Sequence, residues 1–426
     1  MTDLSPSDQK REELLGLFPS GARVYHDELV LRGHRATDLA QKFDTPVLII
    51  DEIALRERAQ RYRDGLAKRW PNSQVVWASK SLPCTAVYRI MHEEGLGVDV
   101  AGGGELVMAL AAGVDPSRIV LHGNAKTSAE IAMALDANVG TIVIDNFDDI
   151  DRLEVLARRE QGVLIRILPG VETATHEAVA TGHGSSKFGL MLPDATRALE
   201  RVRASAFLRL DGVHVHVGSQ ILSIEPFTQA VQVIASLGEF DTYDLGGGLG
   251  ARYTYDEHPP SIEAYLDALV GAARQFLPES SRLLVEPGRS MIAEAATTLY
   301  RVVSVKRSGP RIFVAVDGGM GDNLEVSLYG QRFEATVANR FGGGEDCALV
   351  GRHCESGDLL IDRVALRDCR VGDVIAVPVT GAYCLTMANN YNGALRPPIV
   401  LVREGANREV LRRETYEDLL RRDLNE

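Results

Sequence analysis

LDGVHVHVGSQ, residues 210–220, alternates apolar and polar side chains and then breaks at Gly218. Alternation at period two is a strand pattern, and it puts His214 and His216 on the same face. The same unit, a short apolar run closed by a polar turn, recurs along the chain. Upstream it reads VVWASK (75–80), GVDVA (97–101), RIVLHG (118–123), TIVIDN (141–146) and VLIRIL (163–168). Downstream it reads TYDLGG (242–247) and RLLVEPG (282–288). Between these runs lie stretches with apolar residues at helical spacing, such as GELVMALAAG (104–113), FDDIDRLEVLARRE (147–160) and SIEAYLDALVGAARQFL (261–277). Eight strands with intervening helices in roughly 210 residues match a (β/α)8 TIM-type barrel. An open doubly wound sheet is the competitor. The count of eight favours the barrel, and so do polar residues after nearly every strand, because barrel strand ends meet on one face.

After about Ala293 the texture changes. TTLYRVVSV, RIFVAVD, CALVG, DLLIDRVAL, DVIAVPV and PIVLV follow one another without long helices, which predicts a second, all-β domain of sandwich or barrel type. ETYEDLLRRDL at the C-terminal end predicts a short helix. The expected division is an N-terminal segment (1–45) packing with the β domain, a barrel (46–292) and a C-terminal β domain (293–426). The 426 residues exceed one ordinary domain. Apolar residues make up 45% and charged residues 25%, as in globular proteins. The net charge of −13 argues against nucleic acid and anionic membrane as partners. No apolar run is long enough to span a bilayer, and the polar start MTDLSPSDQKREELLGLF is unlike a signal peptide. Five cysteines, an odd number without CxxC spacing, suggest neither a disulfide framework nor a zinc site. A reduced cytoplasmic location is expected.

Chemistry-bearing residues gather at the predicted strand ends. Lys80 closes an apolar run, where desolvation would favour its neutral amine and Schiff-base chemistry, so it is a candidate anchor for pyridoxal phosphate. The plainer alternative is a stem that crosses the strand end and reaches water. His214 and His216 could be metal ligands, satisfied core residues, or a flat ring on a flat cofactor. No carboxylate or cysteine stands beside them at metal-ligand spacing, so no metal is expected. Consecutive glycines after the seventh strand let backbone N–H groups converge on an anion. They lie late in the barrel, where phosphate sites of this fold occur. Glu286 could hold a proton on a heteroaromatic nitrogen, and the Arg289 fork could bind phosphate or a substrate carboxylate. A strand-end ion pair is the alternative for both.

HVHVGSQ (214–220), YDLGGGLG (243–250), EPGRSMIAEA (286–295), VDGGMGDN (316–323), HCESGD (353–358) and GAYCLTMANNYNG (381–393) together resemble the fold-type III pyridoxal-phosphate-dependent decarboxylases. Within them the chain is most similar to the diaminopimelate decarboxylase family, from about residue 40 to the end. The resemblance implies pyridoxal 5'-phosphate on Lys80, with His216 stacked on its ring and Ser219 at its phosphate. It implies that Gly246, Gly247 and Gly248 donate N–H groups to that phosphate and that Glu286 pairs with the ring nitrogen. Arg289 would sit near phosphate or substrate, and Tyr383 would reach the phosphate from the β domain. In a homodimer with shared active sites, Cys354 and Glu355 would enter from the second subunit. There Cys354 would return the proton and Glu355 would contact the distal amine of the substrate. Tyr391 and Asn392 would shape the pocket. The implied reaction is amino-acid decarboxylation, meso-diaminopimelate to L-lysine and carbon dioxide.

Two positions depart from the family pattern. Ser81 follows Lys80, where alanine is more usual. Glu325 stands in Asp322-Asn323-Leu324-Glu325-Val326-Ser327-Leu328-Tyr329, where the family carries an arginine for the distal carboxylate. An acidic side chain there would repel that carboxylate, although Tyr329 and Arg289 remain. Arg332 could substitute, Glu325 could point to solvent, or the substrate could lack the distal carboxylate and serve a specialised pathway. An amino-acid racemase on the same scaffold would need a second acid/base residue, and HCESGD argues instead for a decarboxylase.

Overall fold

The computed structural model describes residues 6–171 and 186–424. The chain forms two compact units. One takes residues 56–250 and 259–291; the other takes the chain up to Leu55, residues 251–258 and the chain from Ile292 onward.

The first unit is a closed barrel of eight parallel strands, flanked by helices. In chain order they are β1 (Ser73–Ala78), β2 (Gly97–Val100), β3 (Ile119–Leu121), β4 (Thr141–Ile144), β5 (Gln161–Ile167), β6 (Leu208–Val215), β7 (Thr242–Asp244) and β8 (Arg282–Val285). These are the eight runs read from sequence, in the same order round the barrel. The register sets Ala78 beside Asp99, Asp99 beside Val120, and His214 beside Asp244. Because every ladder is parallel, the C-terminal residues of all eight strands share one rim. Val76, Val120, Val143, Leu164 and Leu284, from five different strands, pack as one buried cluster. Helix starts are written locally. Thr127 and Glu130 form a reciprocal capping box, and Asn146 and Ser261 cap the helices Phe147–Leu156 and Ile262–Phe276.

The second unit is built on antiparallel and mixed β structure. Its longer strands beyond Ile292 are β9 (Ala296–Ser308), β10 (Arg311–Val316), β11 (Glu345–Val350), β12 (Leu359–Leu366), β13 (Val374–Pro378), β14 (Ile399–Arg403) and β15 (Ala406–Leu411). The short helix read near the C-terminal end is Tyr416–Leu420. The strand Val47–Asp51 lies between β9 and β14, antiparallel to one and parallel to the other. This corrects the expected boundary at residue 46. VLIID is buried throughout, and an apolar run of that length reads the same in a barrel as in a sheet core; only its ladder partners decide. Residues 251–258 also belong to this unit, though the expected barrel contained them. Leu14, Phe18, Leu29, Leu31 and Leu39 share one core cluster with Val47, Ile49, Leu299, Phe341, Val374 and Val400. Residues 1–5, 172–185 and 425–426 of the expected domains lie outside the described residues. No helix among the described residues is long and apolar enough to cross a membrane.

Candidate active site

Polar residues stand at or just past the C-terminal ends of the barrel strands, His214 and Asp244 still within the ladder and His122, His216 and Glu286 beyond it, so they converge on the rim. Glu286, one residue past β8, is buried, and both carboxylate oxygens are engaged. Its Oε1 lies 2.6 Å from His122 Nε2, and its Oε2 lies 3.2 Å from His214 Nε2. Burial opposes ionisation, but the two histidines outweigh it and hold the carboxyl well below its ordinary range. Asp244 at the end of β7 is fully buried beside Glu286, and its carboxyl is pushed well above the ordinary range by burial and by that neighbour. Burial and the neighbouring groups thus push the two carboxyls in opposite directions, Glu286 toward its anion and Asp244 toward its neutral form. Burial also lowers His214 to about 4, so that ring is neutral at physiological pH.

No carboxylate stands beside His214 in the sequence, but the fold brings Glu286 and Asp244 to it. Ligand-type atoms of His122, His214, Asp244 and Glu286 all lie within 4.8 Å of one another. The 2.6 Å separation of His122 from Glu286 is a hydrogen-bond distance. Two ligands on a tetrahedral zinc at about 2.1 Å would stand about 3.4 Å apart.

Lys80 requires a second correction. β1 ends at Ala78, and Lys80 sits on the following 3-10 turn, Ser79–Ser81, with an exposed side chain. It is not a desolvated lysine at the end of a core strand. The Ser81 hydroxyl donates to Ala78 O at 2.8 Å, which closes the turn and accounts for a serine after the lysine. Lys80 acts electrostatically on Asp99, Glu105 and His216. The buried lysine of this barrel is Lys126, whose Nζ meets Asp149 at 2.7 Å and donates to Gly123 O and Val143 O. With every N–H engaged, it ties helix to strand.

His216 follows β6. Burial and the Lys80 charge hold its pKa well below the ordinary value, and its Nδ1 accepts the Gly247 N–H at 3.2 Å. Gly246 N–H donates to Asp244 Oδ1 at 2.9 Å. Two of the three glycine amides expected at a phosphate are therefore engaged within the rim. The glycines are needed for close approach. A Cβ on Gly247 would strike Glu286 O, and Gly246 turns at φ +65° against Val215 O. Arg289, buried at the start of a short helix, donates from Nε to Ser219 Oγ at 3.2 Å. So Lys80, His216, Ser219, Gly246–Gly248, Glu286 and Arg289 all occupy the barrel rim. Sequence reading missed His122, Asp99 and Arg166, and quoted Asp244 without a role. Each carried the usable signal, a polar residue at or near the end of a predicted strand.

The remaining expected residues lie in the β unit. Glu325 is 1% exposed on the helix Glu325–Tyr329, with Oε2 3.5 Å from the Tyr253 hydroxyl. This overturns the solvent-facing alternative. Arg332 is exposed and paired with Asp256 at 2.8 Å. Tyr329 is half-buried. Cys354 and Glu355 are exposed on the turn that follows β11. Tyr383 holds a left-handed φ of +58°, an uncommon conformation for a bulky side chain.

The pyridoxal binding domain of the pyridoxal-dependent decarboxylases matches residues 53–293. The chain is 45% identical over 422 residues to a diaminopimelate decarboxylase of Actinosynnema pretiosum subsp. auranticum, covering 96% of this chain and 95% of that one. It is 42% identical to the diaminopimelate decarboxylase of Bacillus subtilis, covering 94% and 96%. The crystal structure of the M. jannaschii diaminopimelate decarboxylase with L-lysine superposes at a TM-score of 0.89, with 29% identity and 96% and 98% coverage. Similarity over 94–96% of the chain takes in both units, and it makes the chain a member of the pyridoxal-dependent decarboxylase family and a carboxy-lyase.

Proposed function

We propose that this chain holds pyridoxal 5'-phosphate on Lys80 and decarboxylates meso-diaminopimelate to L-lysine. What carries the reading is the donor set gathered on one barrel rim of a chain 45% identical to a diaminopimelate decarboxylase. The set fits the cofactor. Glu286, kept ionised by His122 and His214, supplies the anion that a protonated ring nitrogen needs. Arg289 beside Ser219 supplies a guanidinium and a hydroxyl for phosphate. Lys80 presents a primary amine, and His216 a neutral flat ring. Bound there, the cofactor would supply the electron sink for the carbon–carboxylate bond.

The chain's own share is to hold and move protons. Lys80 would anchor the cofactor through its primary amine. Glu286 would keep a proton on the ring nitrogen, and Asp244, pushed toward its neutral form, would add no second negative charge beside it. For Cys354, Glu355 and Tyr383 the motif resemblance is the support. Cys354 returns a proton to the carbon that lost its carboxylate, Glu355 receives the distal amine, and Tyr383 binds phosphate. Cys354 and Glu355 are supplied by a second copy of the chain.

Glu325 favours a second reading. A buried carboxylate where the resemblance places an arginine suits an amino acid whose distal end is cationic or polar. Purified protein with added pyridoxal 5'-phosphate and meso-diaminopimelate decides between them. Equimolar lysine and carbon dioxide supports the first reading. No turnover with the cofactor bound, and turnover of a diamino acid lacking the distal carboxylate, supports the second.

A further inference from the structure

Asp358 closes the HCESGD motif and has no part in the chemistry above. It is 5% exposed, and its two oxygens serve two different loops. Oδ1 accepts the Met320 N–H at 2.6 Å, from the VDGGMGDN loop. Oδ2 accepts the His353 N–H at 2.7 Å, from its own loop. The Asp358 N–H returns to Glu355 O at 3.1 Å, and its carbonyl accepts the Gly351 N–H at 3.1 Å. The chain between is the turn that carries Cys354 and Glu355.

The neighbouring glycines are shaped around this carboxylate. A Cβ on Gly319 or on Gly351 would run into it. Further bonds join the same loops. His353 Nε2 accepts the Gly321 N–H at 3.1 Å, and the Arg352 N–H donates to Gly318 O at 2.9 Å. The Cys354 N–H donates to Asn392 Oδ1 at 2.9 Å, which brings in the third motif loop. Of all these acceptors, only Asp358 offers a charged group, and bonds from amides to a carboxylate are the stronger kind.

We propose that Asp358 is a positioning residue: one carboxylate, by holding the Met320 and His353 amides together, fixes the turn on which Cys354 and Glu355 stand. The proposal rests on the reading of Cys354 as the proton donor.

Asp358→Asn keeps the shape but sets an NH2 group against one of the two amide donors. Full-length protein loaded with pyridoxal 5'-phosphate is compared with wild type by amide hydrogen exchange and by steady-state kinetics on meso-diaminopimelate. Exchange is expected to quicken about tenfold in peptides covering 318–323 and 351–358, and nowhere in the β9–β14 core. The kcat is expected to fall about tenfold or more and KM to rise, because Glu355 stands on the same turn, while the cofactor absorbance stays as it was. Gly351→Ala pushes on the carboxylate by sterics alone and should reproduce both effects. Unchanged exchange in those peptides, or exchange quickened throughout the unit, overturns the proposal. Cys354→Ala separates the two ideas. Full activity in that variant sinks the role of Cys354, whereas a slow Cys354→Ala beside a fully active Asp358→Asn sinks the positioning alone.

Discussion

In the barrel, Glu286 is buried and held by side chains: two histidines on its oxygens, with Asp244, pushed toward its neutral form, beside it. In the β unit, Cys354 is exposed, and it is the backbone of its turn that is held, through the amides of Met320, His353 and Cys354 itself. The barrel can work with side chains because its ladders fix where each strand ends. The β unit carries its groups on loops, which lack a ladder and need separate ties from backbone to side chain. Charge control thus belongs to the strand ends and conformational control to the loops.

The comparison predicts a ranking of variants. Lys80→Ala should remove the absorbance of bound cofactor and lower kcat by on the order of 10³-fold or more. An unchanged band would remove Lys80 as anchor. Glu286→Gln takes the anion away from His122 and His214. It should cut kcat about 10²-fold and lower the unfolding temperature of the holoenzyme, because a buried network loses its charge. Full activity with a lowered unfolding temperature would make the clamp structural only. Cys354→Ala should cut kcat about 10- to 100-fold with no change in unfolding temperature, because the side chain is exposed. Mixed with Lys80→Ala, it should recover about a quarter of wild-type activity if two copies share each site. Failure of the mixture to gain activity over time would mean that Cys354 and Lys80 of each site come from the same chain.

The smallest expected effect concerns pH. Burial raises the Asp322 carboxyl of the β unit to about 7, where it bonds to the Tyr300 hydroxyl at 2.6 Å. Glu286 is shifted the other way. A depressed acid stabilises the native state above its unfolded pKa, and that stability is lost as pH falls through the folded pKa. For Asp322 the sign reverses: the folded chain keeps a proton that the unfolded chain releases, so its contribution to native stability falls as pH climbs from about 4 to 7. Asp322→Asn, a neutral mimic, should therefore gain unfolding temperature relative to wild type over that window and hold the gain above it. A difference between the two proteins that does not vary with pH would mean that Asp322 titrates normally.

Legibility differed between these regions for the same physical reason. All eight barrel strands were readable because each is an apolar run ended by a polar turn, and the rim residues stood at those ends. VLIID was misassigned because burial on both faces erases the periodicity that separates one sheet from another. His122 was overlooked because its partner, Glu286, is 164 residues away and nothing local announces the pair. Lys80 was read as closing a buried strand, but its supposed burial was wrong, because one further turn carries it out of the strand.

Residue order alone determined the barrel, the all-β texture that follows it and the identity of the groups at the strand ends, since these are written in local periodicity and turn chemistry. Tertiary structure alone decided that Glu286 is pushed toward its anion and Asp244 toward its neutral form, that Glu325 is buried, and that Asp358 holds two loops. Those outcomes depend on burial and on partners brought together from distant parts of the chain, and neither is encoded within any short window of sequence.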